Sequence, residues 1–491
     1  MFSFNIKYQS QDDLHQAQEK VSKENPQQLL IQIFCGNPTK ECVSSLIKEV
    51  TAVFPNSPII GTTTAGEIME GESLDQTIVI SFTQFKKTQI RSALVTQNED
   101  LYQAGLQLAS DISQPDIKAA IIFGCGIKNG GAINGEPLLN GFQDTCPEVV
   151  IAGAQAGDNG AAQKTYVFTK DGYTDAGAAA VSLGGKDLIA HNSYNLSWVP
   201  LGKAMEISHA ENTCIHTIDG KPAKDIYTHY LGENVGERLP QSAAEFPLVV
   251  ERHGVQLARH ANRLLPDGSL DFMAPFYTGE KVWFAFCHSG LVAQAARQMF
   301  DNFTAKNCDA IFIYSCLTRK WVLGEDSKLE LAPLACLAPT SGFFSYGEYY
   351  SNRGKNLFLS QTMTVLALHE KGIEGHSKEG AYDTEPDFPD HETKQVQDLK
   401  ALHRLVETSA AEREEVILEL QEALSEIKTL RGFIPICAHC KKIRDDQGYW
   451  NRIENYIQDH TDAQFSHGIC PDCVKEIYPS FKNKRKKDTS S

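Results

Sequence analysis

Two cysteine pairs, Cys437-Ala438-His439-Cys440 and Cys470-Pro471-Asp472-Cys473, stand 29 residues apart, positions 441 to 469 lying between them. Two such Cys-x-x-Cys knuckles can close tetrahedrally around one Zn²⁺ with Zn–S distances of about 2.3 Å, because each short turn points both sulfurs the same way. His439 and His467 lie near enough in sequence to substitute as ligands. With Cys437, Cys440, Cys470 and Cys473 all bound, no coordination position stays open for a substrate water, so the expectation is a structural zinc module that staples a fold or docks a partner. A redox dithiol belongs beside a βαβ pattern, which this tail does not show. Unpaired structural cysteines are the third reading.

Elsewhere the candidates for chemistry are sparser. Gly124-Cys125-Gly126-Ile127-Lys128-Asn129-Gly130-Gly131 follows a strand-like run, and its amides could cradle an anion. Its spacing matches neither a dinucleotide fingerprint nor a P-loop, and a plain tight turn explains it as well. Cys125 between two glycines could be an exposed nucleophile, but no partner base is identifiable, and a buried small residue is the plainer reading. Glu67 and Asp158 both sit in glycine-containing turns; paired carboxylates do acid–base work, whereas caps and turn hydrogen bonds explain such acids more often. His403 lacks the acidic neighbour of a phosphoacceptor histidine, and no ATP-binding domain follows it.

The elements that must position these groups read as mixed α/β. Of 491 residues 42% are hydrophobic and 22% charged, which suits a folded chain with room for two or three domains. Strand-like runs occur at 29–34, 77–82, 119–123, 149–152, 178–182, 282–286 and 310–314, with covering helices expected at 101–110 and 291–300. Strand signals thin out over 200–245, where a helix is expected at 223–231 and a seam is plausible. Between 371 and 395 glycine, proline and acids replace aliphatic residues, the composition of a linker. Beyond it Leu399, Leu402, Val406, Ser409, Arg413, Val416, Leu420, Ala423, Ile427 and Leu430 follow heptad spacing, apolar except for Ser409 and Arg413. That helix would run about 48 Å. Ile417 and Leu424 widen its stripe, so it suits a homodimer or packing on its own chain.

A net charge of −16 argues against broad nucleic-acid binding, the only basic run being Lys482 to Lys487. Neither a long apolar span nor a secretory layout is present, and the 13 cysteines, an odd count, fit a reducing compartment. A cytoplasmic protein without a membrane segment is expected.

Residues from about 28 to 370 resemble the FIST sensory domain in its N- and C-terminal halves. The matching stretches are Ile60 to Glu67, Phe123 to Gly126, Ile151 to Asp158, Trp198 to Gly202, Tyr314 to Arg319 and Ser341 to Glu348. The tail, with Cys440 to Asp446 and Phe465 to Cys473, looks like a cysteine-rich module appended to bacterial signalling proteins. The resemblance implies an α/β body of mixed sheets covered by helices, then a long heptad helix and a small zinc module. The expected boundaries are 1–205 and 206–370 for the two FIST halves, 371–395 for the linker, 396–432 for the helix, 433–480 for the zinc module and 481–491 for the basic tail. It further implies a bacterial intracellular sensor of a small ligand, with amino acids proposed for the family. One branch binds haem and senses nitric oxide through a partner histidine kinase. Haem needs an axial ligand, and His191, His209, His216, His229, His253, His260 and His288 are candidates. Cys316, Arg319 and Glu348 fall in the C-terminal motifs and are the expected ligand-pocket residues, Arg319 as a bidentate partner for a carboxylate. The contrasting readings are a cytosolic enzyme using Cys125 or Cys316, and a metal-dependent scaffold whose tail recruits a partner.

Overall fold

The structure, a computed structural model, describes residues 1–22, 25–96, 100–128, 130–371, 403–404, 406, 410–411, 413–424, 434–445, 447–460 and 463–478. The expected linker beyond 371, the basic tail, and positions 399–402, 405, 407–409, 412 and 425–430 of the heptad helix lie outside the described residues. The chain divides into two compact units, Met1–Thr408 and Ser409–Ser491.

The first unit is built from one motif used three times. In the first repeat β1 (Phe2–Lys7) and α1 (Gln11–Lys20) precede β2 (Leu29–Cys35), α2 (Lys40–Val53) and β3 (Ile59–Thr63). A hairpin follows, β4 (Glu67–Met69) with β5 (Glu72–Leu74), and then a return strand β6 (Ile78–Gln84). The second repeat runs β7 (Gln89–Val95), α3 (Leu101–Asp111) and β8 (Ile117–Gly124). A small ribbon, β9 (Ile127–Lys128) with β10 (Gly131–Ala132), leads to α4 (Glu136–Thr145) and β11 (Val150–Gln155). Its hairpin is β12 (Val167–Thr169) with β13 (Gly172–Thr174), and its return strand β14 (Ala178–Gly184). The third begins with β15 (Leu188–Asn195), admits an inserted sheet, and resumes with α7 (Ser289–Thr304), β24 (Ala310–Cys316), α8 (Leu317–Leu323), α9 (Lys328–Ala335) and β25 (Thr340–Ser345). It closes with the hairpin β26 (Glu348–Asn352) and β27 (Lys355–Leu359) and the return strand β28 (Met363–Glu370).

Each repeat forms a six-stranded sheet in the same order, with its hairpin place filled by another repeat. The orders are β1-β6-β2-β3-β12-β13, β7-β14-β8-β11-β26-β27 and β15-β28-β24-β25-β4-β5. The second repeat's hairpin thus completes the first sheet, the third's completes the second, and the first's completes the third. The two central strands of every sheet are parallel (β2 with β3, β8 with β11, β24 with β25) and both neighbours are antiparallel. Such strands are buried on both faces, which is why Leu29 to Cys35 reads as a continuous apolar run broken only by Gln32. Alternation still sorts the faces. Leu30 and Phe34 meet Ile121, Phe123, Phe312, Tyr314 and Phe343 in one core shared by the three sheets, while Ile31 and Ile33 face the Val43, Leu46 and Val50 stripe of α2.

The insert holds β16 (Val199–Glu211), β17 (Cys214–Ile218), β18 (Lys221–Pro222), α5 (Ala223–Leu231), α6 (Glu233–Glu237), β19 (Leu248–Arg252), β20 (Val255–Arg259), β21 (Ala261–Leu264), β22 (Leu270–Phe272) and β23 (Lys281–Phe286). The region where strand signals thin out therefore contains the long strand β16, mostly solvent-facing and so poor in apolar residues, besides the expected helix α5. Its own core includes Ile207, Tyr227, Leu248, Leu257, Phe272 and Phe284. Arg259, almost fully buried, and Arg252 reach from the insert to Glu136 at the start of α4, at 2.8 and 3.3 Å.

In the second unit residues 413–424 are helical, with Val416, Ile417, Leu420 and Leu424 exposed. A two-stranded ribbon, Ile443–Arg444 with Trp450–Asn451, follows the first knuckle, and helices span Ile453–His460 and Pro471–Ile477.

Candidate functional site

The turn after the second core strand is the chemical signature of each repeat: Thr64-Ala65-Gly66-Glu67, Gln155-Ala156-Gly157-Asp158 and Ser345-Tyr346-Gly347-Glu348. The swapped hairpins bring all three together. Gly157 N donates to Thr63 O at 2.9 Å and Asn159 N to Thr64 O at 3.1 Å. Ala65 N donates to Phe344 O and Phe344 N to Gly66 O, both at 2.8 Å. Gln155 N donates to Gly347 O at 2.8 Å and Tyr346 N to Gln155 O at 3.4 Å, closing a ring of turns. Gly157 is required by that approach, since a Cβ there would lie 2.6 Å from Ala65 N.

The acids of the three turns are buried, and each is hydrogen-bonded locally. Glu67 accepts from Thr64 Oγ1, from Thr77 N at 2.8 Å and from Thr77 Oγ1 at 2.6 Å. Glu348 repeats this arrangement, accepting from Ser345 Oγ at 2.7 Å and Thr362 N at 3.3 Å. Desolvation raises both carboxyls above the usual carboxylate range, Glu348 well above it. Asp158 is instead cradled by the amides of Ala162, Gln163 and Lys164 at 2.7 to 2.9 Å, with Tyr346 Oη as a further donor. Glu67 and Asp158 therefore serve as turn anchors, each with its own set of donors. The Gly124–Gly131 loop spends its amides similarly: Gly126 N and Ile127 N donate to Thr165 Oγ1 at 3.0 and 3.2 Å.

The three residues expected to read a ligand do lie together. Cys316 ends β24, and its thiol is pushed up to about 12 by burial and then by the Glu348 carboxylate. Arg319, one turn into α8, is 1% exposed, and its guanidinium bears electrostatically on both Cys316 and Glu348. Its fork is already engaged. Nε lies 2.9 and 3.1 Å from the two Glu330 oxygens, Nη2 2.7 Å from Glu330 Oε2, and Nη1 2.7 Å from Leu196 O. Glu330, missed by the sequence reading because nothing local in α9 marks it as buried, occupies the place assigned to a ligand carboxylate. His260 Nδ1 is buried without a hydrogen-bond partner among the described residues, as are Ser315 Oγ, Ser360 Oγ and Gln361 Oε1 elsewhere in the body. His260, between β20 and β21 of the insert, contacts Thr318 Oγ1 through Nε2 at 3.3 Å, and burial lowers it to about 4.

The other histidines are dispersed. His191 lies on β15, lowered by burial. His209 and His216 stack at 4.7 Å on the insert sheet, with His216 Nδ1 2.9 Å from Ser269 Oγ. His229 is in α5, His253 in a turn with φ of 52°, and His288 caps α7. Cys125 is buried like Cys316 and likewise pushed up to about 12 by burial, its Sγ lying 3.6 Å from the Thr174 carbonyl. A buried high-pKa thiol is a poor nucleophile.

In the second unit each knuckle is formed. Cys437 N donates to Lys442 O at 2.8 Å and Lys441 N to Cys437 O at 3.0 Å, with Lys441 at φ of 60°. The amides of Cys440 and His439 lower the Cys437 thiol, and the Cys473 amide and then its side chain lower Cys470. Such turns suit thiolate ligands. The two pairs stand apart, however: no group of three or more His, Cys, Asp or Glu is gathered at metal-holding distance among the described residues.

The geometry is that of a three-repeat α/β body with a sheet inserted into its third repeat. Residues 29–221 match the FIST N domain and residues 223–351 the FIST C domain, and the chain belongs to the FIST family of signal-transduction sensor domains. None of the curated proteins matches it in sequence. A solved structure titled "Crystal structure of Chorismatase at 1.08 Angstrom resolution" is similar over 75% of this chain and 97% of its own, at 10% identity and a TM-score of 0.28. Among the described residues no helix is long and apolar enough to cross a membrane.

Proposed function

We propose that the chain is a bacterial cytoplasmic sensor that seats a small polar ligand where the insert meets the third repeat. The carrying observation is the cluster of Cys316, Thr318, Glu348 and His260: Thr318 Oγ1 meets His260 Nε2 at 3.3 Å, Glu348 bears on Cys316, and His260 Nδ1 is buried with no hydrogen-bond partner among the described residues. Buried polar groups without partners cost about 1–3 kcal/mol each, and a ligand supplying donors and acceptors relieves that cost. Arg319, held by Glu330, positions the α8 turn instead of gripping the ligand. A ligand touching both His260 and the Cys316–Arg319 turn binds differently when insert and body shift, which is what population shift requires. The helix around 413–424 then carries the bias to the cysteine module, its exposed Val416, Ile417, Leu420 and Leu424 meeting a second copy. Cys437, Cys440, Cys470 and Cys473 would hold one structural Zn²⁺ once the knuckles approach, and a signalling protein such as a histidine kinase receives the output.

The test is calorimetric titration of the full chain with each standard amino acid, for wild type and His260→Leu. One amino acid binding the wild type and losing roughly tenfold in the variant, about one hydrogen bond, supports the seat. No binding by any, or binding indifferent to His260, rejects it. The alternative is haem, favoured by a His260 imidazole that burial keeps neutral. A Soret band on haem addition, abolished by His260→Leu, would select that reading. Metal analysis showing one Zn per chain, lost in Cys470→Ser, tests the tail separately.

A further inference from the structure

The molecule holds a second thiol pair, remote from the knuckles. Cys35, the last residue of β2, is fully buried, and its Sγ lies 3.8 Å from Sγ of half-buried Cys42 in the first turn of α2. The Cys35 thiol points to Asn37 O at 3.2 Å, so both sulfurs share the corner made by residues 36–41. A helix of 14 residues, capped by Thr39 Oγ1 accepting from Cys42 N at 3.3 Å, places positive dipole beside Cys42. Hydrogen bonding by Cys35 lowers the Cys42 thiol to about 7, while Cys35 is raised well above the ordinary value. One thiol is thus suited to attack and its neighbour to resolve.

We infer that Cys35 and Cys42 form a reversible disulfide, a redox modification site wired to the ring of turns. In the first step the Cys42 thiolate attacks one sulfur of a low-molecular-weight disulfide such as oxidised glutathione. The Cys42–S bond forms, the small disulfide's S–S bond breaks, and one glutathione thiolate leaves and is protonated. In the second step Cys35 gives up its proton and attacks the Cys42 sulfur, and the second glutathione leaves with that proton. The protein loses two electrons and two protons, and the small disulfide becomes two thiols.

Closing 3.8 Å to a bond of about 2.05 Å draws the first turn of α2 and the Cys35 end of β2 toward each other, which loads the Cys35 end. That end is tied to two ring turns. Thr64 N donates to Cys35 O at 3.1 Å, Asn159 Nδ2 donates to Gly36 O at 2.7 Å, and a Cβ on Gly36 would lie 2.7 Å from Glu67 Oε1. Oxidation therefore loosens the turns of Glu67 and Asp158 together.

The experiment exposes full-length protein to oxidised glutathione, quenches with an alkylating agent and maps trypsin peptides by mass spectrometry. Cleavage after Lys40 places the two cysteines in separate peptides, 24–40 and 41–48. The expected wild-type product is these peptides linked by a disulfide, with little glutathione retained. Cys35→Ser should accumulate glutathione on Cys42, and Cys42→Ser should show neither product at this site. Equal retention of glutathione on Cys42 in wild type and Cys35→Ser overturns the pair, as does any failure to link the peptides. Hydrogen exchange of the linked form should be faster over 63–67 and 157–160 than in the reduced form; unchanged exchange there overturns the wiring to the ring.

Discussion

Replacing Arg319 by Met separates a structural from a ligand-reading role for this side chain. The wild-type guanidinium satisfies both Glu330 oxygens and the Leu196 carbonyl, and after truncation Asn195 Nδ2 at 3.1 Å is the donor left to Glu330 among the described residues. Glu330 is 2% exposed, so its charge is stranded out of water. Breaking such a pair costs about 3–5 kcal/mol, and the orphaned Leu196 carbonyl adds about 1 kcal/mol. Replacing both partners, as Arg319→Met with Glu330→Met, removes the stranded charge and should recover most of the loss. Urea denaturation followed by tryptophan fluorescence, to which Trp198, buried two residues from Leu196, contributes, reads the change. A single-variant cost below about 1 kcal/mol, or a double variant no better than the single, would refute the claim that this pair anchors α8.

Glu348→Gln keeps an acceptor for Ser345 Oγ while removing a buried group whose folded pKa is raised. Wild-type stability from this group is intact below the unfolded carboxylate value near 4.3 and falls above it by up to about 1.4 kcal/mol per pH unit until the folded group ionises. The variant should be equal or more stable at pH 7 and show a flatter stability–pH curve; a steeper curve would contradict the desolvation account. Gly157→Ala forces a Cβ to within 2.6 Å of the Ala65 amide and should lower stability by about 1–3 kcal/mol in the same urea assay. Cys125 and Cys316, both pushed up to about 12, should react with iodoacetamide at neutral pH far more slowly than Cys42, as peptide mass mapping would show. Rapid alkylation of either buried thiol would revive a cysteine enzyme.

Much of the architecture was legible because burial leaves a mark in composition. Strands covered on both faces read as apolar runs, and 29–34, 119–123, 178–182 and 310–314 fall within β2, β8, β14 and β24. Helices with one buried stripe read by period, and 101–110, 223–231 and 291–300 fall within α3, α5 and α7. Edge strands such as β1, β7 and β15, half exposed, carry no comparable run and went unread.

The sequence by itself determined the FIST motifs, the α/β class and the residue types at each turn, since these depend on local spacing and on which faces must be apolar. Only the tertiary structure decided their arrangement. The three Gly-acid turns lie far apart in sequence, and nothing local records that each repeat's hairpin completes another's sheet. Likewise Arg319 reads as a free carboxylate receptor until Glu330, 11 residues on, takes its fork, and Cys35 and Cys42 read as scattered thiols until the corner after β2 sets them 3.8 Å apart. A long-range partner consumes a side chain's hydrogen-bonding capacity without altering its neighbours in sequence, which is why pairing had to be seen in three dimensions.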